Sequence, residues 1–164
     1  MGNVNCIAAG GVLDSFKADI TITNNTKHEL TLDTEERCGR DCDHKGWKIL
    51  DGKIIAGAEP PRLIPPYSTG QFSVAARNES WKRPIGKVFY VNAKENLKVI
   101  FQWNNAGWTS ESGSTASITI TGIAPKNGTC EGDPKPWNQK LIGKSNPDSW
   151  IYDLRSVEGS EDKR

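Results

Sequence analysis

The chain has 164 residues, a formal net charge of +1 and 25% charged residues. That length suits one domain with a full core. The near balance of charge excludes a field able to collect phosphates, so no nucleic-acid partner is expected. No apolar run approaches the ~20 residues of a membrane span.

Residues 1–14 are small and polar and read as an N-terminal arm. They lack the basic and apolar stretches of a signal peptide. Met1-Gly2 is similar to the start of a myristoylation signal, but Cys6 stands where that signal has Ser or Thr. From Phe16 the pattern sharpens. Phe16, Ala18, Ile20 and Ile22 alternate with polar residues, as in a half-buried strand. Asn24-Asn25 supplies a turn, and His28, Leu30 and Leu32 mark a second strand. The two predict an antiparallel hairpin. Asn24, Asn78 and Asn127 head glycosylation sequons, which matter only on the secretory path.

The loop from Asp33 to Gly46 holds Cys38, Cys42 and His44. A structural zinc site needs four ligands, and no second Cys/His pair stands at finger spacing. A local Cys38–Cys42 disulfide or free thiols are therefore the readings left, and no metal or cofactor is expected. Cys6 and Cys130 are remote.

Trp47 to Ile55 reads as a second hairpin turning at Asp51-Gly52. Pro60, Pro61, Pro65 and Pro66 mark a loop or sheet edge, because proline cannot donate to a ladder. Gln71 to Ala76 is a strand with Phe72 and Val74 inward, and Trp81 sits in a polar loop beside Lys82 and Arg83. The passage Ile85 to Gly113 carries the strongest pattern. Val88 to Val91 forms one strand and Asn92 to Asn96 a turn. Leu97, Val99, Phe101 and Trp103 then share one face of the next strand. Trp108 follows just past its end. Ser117 to Gly122 is the last strand of this region. Strands at intervals of roughly ten residues argue for an all-β antiparallel sandwich over residues 15–123. Residues 124–164 read as a mostly irregular extension packed on the sandwich through Trp137 and the run Trp150 to Leu154. A short helix is expected to start near Asp148 or Ser149, and the end is expected to be disordered.

No catalytic motif is present: there is no nucleophile elbow and no phosphate-cradling glycine loop. The expectation is a protein that is not an enzyme. Six tryptophans against one methionine instead draw attention to the rings. Trp47, Trp81, Trp103, Trp108 and Tyr90 lie in or beside predicted turns. Such rings suit a lipid headgroup zone or a sugar face.

These residues resemble the aegerolysin family of β-sandwich proteins, related in fold to actinoporin cytolysins. The likeness spans about residues 16–122. It is carried by Phe101-Gln102-Trp103-Asn104-Asn105-Ala106-Gly107-Trp108-Thr109-Ser110, by Gly46-Trp47-Lys48 and by Ile85-Gly86-Lys87-Val88. Asn104 replaces the family's acidic residue, and the Cys-Pro pair between the tryptophans is absent. The resemblance implies docking on sphingolipid headgroups at a membrane surface, in some members with a larger pore-forming partner. It implies a toxin-like or cytolysin-like protein acting outside cells without a visible signal peptide, with a cytoplasmic location as the alternative. Trp47, Trp81, Trp103, Trp108 and Tyr90 would enter the lipid, with Lys48, Lys82 and Arg83 at the phosphate level. The rival reading is a carbohydrate- or protein-binding sandwich, such as a lectin or secreted effector, in which the same rings stack on sugars or fill a partner's pocket.

Overall fold

The computed structural model describes residues 17–35, 45–76, 84–105, 113–123, 137, 141–147 and 149–157. Two sheets pack face to face. Sheet A runs β10-β11-β1-β6-β4, with β1 Ala18–Asn25, β4 Lys53–Ile54, β6 Ser68–Ala75, β10 Leu141–Asn146 and β11 Ile151–Ser156. Sheet B runs β5-β2-β7-β8-β9, with β2 Leu30–Leu32, β5 Leu63–Ile64, β7 Ile85–Asn92, β8 Leu97–Asn104 and β9 Thr115–Thr121; β3, Trp47–Asp51, also pairs with β7. The predicted β-sandwich is the observed fold.

The hairpin around Asn92 to Asn96 forms as expected. β7 and β8 pair in unbroken antiparallel register from Ile85↔Asn104 to Asn92↔Leu97. Asn92 caps the turn by accepting from the Glu95 N–H at 3.1 Å, and Asn96 takes the left-handed conformation that asparagine tolerates.

The other two expected hairpins are corners between sheets. β1 pairs with β6 and β11 in sheet A, whereas β2 pairs with β5 and β7 in sheet B. The crossing is held by Asn24, which is fully buried. Its Nδ2 donates to the carbonyls of His28 at 2.7 Å and Pro65 at 3.1 Å, and its Oδ1 accepts from the Thr26 hydroxyl at 2.7 Å. Every polar atom of that side chain is used, so this sequon offers no amide for a glycan. The second corner is at Gly52, between β3 in sheet B and β4 in sheet A. Its φ of 90° and the 2.4 Å that would separate a Cβ from the Ala75 carbonyl oxygen both require glycine. Alternation reports that a strand has one buried face. It does not report which sheet the strand joins.

The C-terminal region departs from the irregular extension expected. β10 and β11 form an antiparallel hairpin, and β11 lies parallel to β1, from Thr21↔Ile151 to Asn25↔Arg155. Residues from Ile151 on are a strand rather than a helix because Tyr152 and Leu154 alternate inward, both fully buried. β10 then closes against β9 of the other sheet. Ser145 donates to the Ala116 carbonyl at 2.9 Å, and a Cβ on Gly143 would press within 2.8 Å of the Ile118 side chain. Trp137 packs edge-on to His28 and donates its indole N–H to the Glu95 carbonyl at 3.0 Å.

The core is continuous between the sheets. Ile20, Ile22, Phe72, Val74, Tyr152 and Leu154 of sheet A face Val88, Leu97, Val99, Phe101 and Trp103 of sheet B. Trp103 lies over Gly86, where a Cβ would meet its ring at 2.7 Å, and meets Phe72 edge-on at 5.4 Å. Trp103→Ala is expected to destabilise the fold by about 3–5 kcal/mol, the range for removing a buried aromatic side chain. Urea unfolding followed by far-UV circular dichroism would measure it, and a loss below about 1 kcal/mol would contradict a core role.

Candidate functional site

The structure separates the residues read as lipid-contacting into distinct places. Trp103 is 1% exposed and Trp47 5%. Tyr90 is fully buried, with its hydroxyl donating to the Pro61 carbonyl at 2.6 Å. These three rings are core residues and not a membrane-facing set, which corrects the expectation for them. The cause is register. Trp47 stands opposite Val88, Trp103 opposite Gly86 and Tyr90 opposite Val99, all on the face of sheet B that meets sheet A. Burial pushes the Tyr90 phenol well above its usual range, and Tyr152, whose hydroxyl donates to the Gln102 carbonyl, is raised for the same reason.

Lys48 points the other way. It stands opposite Lys87 on the outer face of sheet B. There the Lys87 and Lys98 ammonium groups lie 5.6 and 5.1 Å from the centroid of the Phe89 ring, an arrangement favoured by the ring's negative face. Trp81, Lys82, Arg83 and Trp108 lie outside the described residues, as do Cys38 and Cys42.

The chain positions that flank those residues are described, and they converge. Pro84, which ends the segment carrying Trp81, Lys82 and Arg83, accepts from the Asn105 N–H at 3.0 Å. Asn105 begins the segment carrying Trp108. The Gly52 corner is at the same pole, since a Cβ there would approach Pro84 Cα within 2.9 Å. Two residues before Gly52, Leu50 is 54% exposed, the most exposed large hydrophobic side chain among the described residues.

A second feature lies at the other end of β3. β2 and β3 run in the same direction along one edge of β7, with Leu32 opposite Tyr90 and Trp47 opposite Val88. They are two halves of a split strand. The chain leaves at Asp33, whose N–H donates to the Phe89 carbonyl at 2.9 Å, and returns at Gly46, whose carbonyl accepts from the Phe89 N–H at 2.8 Å. Gly46 has φ of 101°, and a Cβ there would overlap the Leu32 side chain at 2.4 Å. A cleft of about 330 Å³ opens at this break. Leu32, Trp47 and Pro60 make its floor, and Thr34, Lys45, Glu59 and Arg62 its walls. β3 spans four residue steps of about 3.3 Å, so the cleft and the Gly52 pole are about 13 Å apart along it.

Of the cleft's residues only Trp47 was singled out from sequence, and for a different role. Lys45, Glu59 and Arg62 come from separate turns of chain, with no local motif to join them. The one usable sign was the Pro60-Pro61 pair, which fixes a rigid bend between two charged residues.

No protein-family model and no curated protein sequence matches the chain. Among solved structures, the chain is similar to the lipid-binding protein Nakanori, with a TM-score of 0.58 and 15% identity, covering 87% of this chain and 70% of that one. At that identity the likeness defines the fold: this is a β-sandwich of the architecture seen in that protein.

Tyr90 and Tyr152 keep their protons in the folded state at pH values where an unfolded tyrosine loses them. Their contribution to stability is complete below the ordinary tyrosine pKa of about 10 and declines as pH rises above it. Absorbance at 295 nm during alkaline titration is expected to show these two phenols ionising only as the fold is lost. Early titration of all three tyrosines, with circular dichroism unchanged, would contradict the buried placement.

Proposed function

We propose that this chain is a non-enzymatic, membrane-lipid-binding β-sandwich that docks through the Gly52 pole. The observation that carries the reading is the convergence of chain ends there. Pro84 and Asn105, the described residues that flank the segments bearing Trp81, Lys82, Arg83 and Trp108, are hydrogen-bonded to each other, and the exposed Leu50 lies two residues before the Gly52 corner. Two indoles, a leucine and two cations drawn from one end of a rigid body suit a membrane interface. Rings and leucine gain from the acyl boundary, and the cations gain about 1 kcal/mol each near an anionic surface. The architecture shared with a lipid-binding protein supports the class of ligand, as does the resemblance to aegerolysins.

With Trp47, Trp103 and Tyr90 in the core, the docking rings are Trp108 and Trp81. In the finer reading the preferred lipid is a sphingolipid, the protein acts outside cells, and membrane damage requires a separate pore-forming protein.

Vesicle co-sedimentation tests this directly. Phosphatidylcholine vesicles containing sphingomyelin are expected to bind the protein more tightly than vesicles without it. Trp108→Ala and Leu50→Ser are each expected to weaken binding about tenfold, a loss of about 1.4 kcal/mol, without altering the unfolding midpoint. Dye-loaded vesicles are expected to stay sealed with this protein alone. Binding to immobilised glycans but to no vesicle would replace the reading with a lectin.

A further inference from the structure

We propose that the outer face of sheet B, around Lys48, Lys87 and Lys98, binds a linear sulfated polysaccharide. The inference is independent of the lipid-docking reading, because it uses the flank of the sandwich and not the Gly52 pole.

Register assembles the face. Lys48 of β3 stands opposite Lys87 of β7, Lys87 opposite Gln102 of β8, and Gln102 opposite Ser117 of β9. These four side chains form one row across the strands, about 14 Å long at ~4.8 Å per strand. Their neighbours Val88, Phe101 and Trp103 point into the core, so the row points outward. Two residues further along β7, a second row runs Phe89, Ile100 and Thr119, and a third runs Val91, Lys98 and Thr121.

Phe89 holds two of the lysines in place. It faces outward with them, yet it is only 5% exposed and does not belong to the core between the sheets. The Lys87 and Lys98 ammonium groups both lie within 5.6 Å of its ring centroid. The negative face of the ring attracts both cations and fixes where they stand. Lysines directly opposite each other in a ladder repel, as Lys48 and Lys87 are placed to do. β7, β8 and β9 contain no aspartate or glutamate to offset them. Two acids border these strands. Asp51 stands opposite Ile85 at the bulge of β3. Asp33 accepts from the Glu35 N–H at 3.2 Å and so closes its own turn. Gathering like charges costs the fold stability, and an anion laid between them reverses the sign.

Charge and shape select the ligand. A sulfate group meets lysine as one point charge meets another. Gln102, Ser117 and Thr119 are exposed beside the cations and offer an amide and two hydroxyls to sugar hydroxyls. A linear sulfated sugar chain carries both kinds of group along a strip that matches the row. A protein partner would use an aromatic anchor, whereas the ring on this face is already covered. A membrane met by the Gly52 pole lies across strand ends, and this face stands to its side. The net charge of +1 creates no long-range field, so local spacing decides which polyanion binds.

The test uses the full chain and a heparin-derived hexasaccharide, with the desulfated hexasaccharide and a thymidine oligonucleotide as controls. Binding is read by calorimetry at fixed salt and by backbone amide resonances. The sulfated hexasaccharide is expected to shift the amides of Lys48, Lys87 and Gln102 and to leave those of Asp19 to Thr23 in place. It is expected to bind at least about tenfold tighter than either control. The double change Lys87→Gln, Lys98→Gln is expected to weaken it at least about tenfold. Lys144→Gln, at an exposed position of sheet A, is expected to change nothing. Unchanged unfolding midpoints would confirm intact folding. Equal affinity for the desulfated sugar or the oligonucleotide, or full affinity in the double variant, overturns the proposal. Phosphatidylglycerol vesicles that lose binding in the double variant, with no binding of the hexasaccharide, would assign the face to a membrane and overturn it too. Hexasaccharide binding without binding to any vesicle supports this face and sinks the lipid reading.

Discussion

The packing of Trp103 onto Gly86 is the contact on which the rest of the sandwich depends. The ring occupies space that any side chain at position 86 would fill. From there it reaches across the interior to Phe72 of the opposite sheet. One indole therefore sets the distance between sheets near the Gly52 pole. At the other edge the spacing is set by Gly143, which lets β10 close against Ile118 of β9. Between these two close approaches lies the aromatic chain of Tyr90, Phe101 and Tyr152, whose rings meet edge-on at 6.1 and 5.5 Å. Each is a geometry that aromatic rings favour. The result is a packed body in which the Gly52 pole and the cleft sit at opposite ends of one short strand.

That rigidity matters because both features are made of pieces distant in sequence. The pole joins β3, β7 and β8 through Gly52, Pro84 and Asn105. The cleft joins the split strand to the proline loop. Neither would keep its geometry on a body that could shear, since the cleft's lining residues are brought together by the β2–β5 and β3–β7 pairings. Placing sites on strand ends and tight corners of a packed core is a general way to position them accurately.

Much of the fold was legible in the chain because alternation is a strong signal for a strand with one buried face. β1, β8 and β9 were read close to their observed bounds on that basis, whereas β6 and β7 each begin three residues earlier than read. What alternation did not reveal was the partner of each strand. Asn24 and Gly52 looked like hairpin turns, and both turned out to be corners between sheets, because a turn residue reports a reversal and not the layer it leads to. Trp103 is the instructive case for the site. Its alternation with Leu97, Val99 and Phe101 already placed it on the inward face, yet its position near a strand end suggested display. Burial followed the face and not the end. The charged walls of the cleft were illegible for a different reason: Lys45, Glu59 and Arg62 are brought together only by the sheet pairing of their neighbours.

The parallel pairing of β1 with β11 has a consequence for how such a chain is made. β1 and its parallel neighbour β11 lie far apart along the chain, and Asn25 meets Asp153 across 128 residues. Until they pair, β1 shows a bare, alternating edge to its surroundings, the kind of template that other chains can extend. Contacts this far apart along the sequence are also slow to close. The vulnerable interval runs from the emergence of β1 to the arrival of the β10–β11 hairpin, and a truncation that removes Ile151 to Ser156 would make that interval permanent.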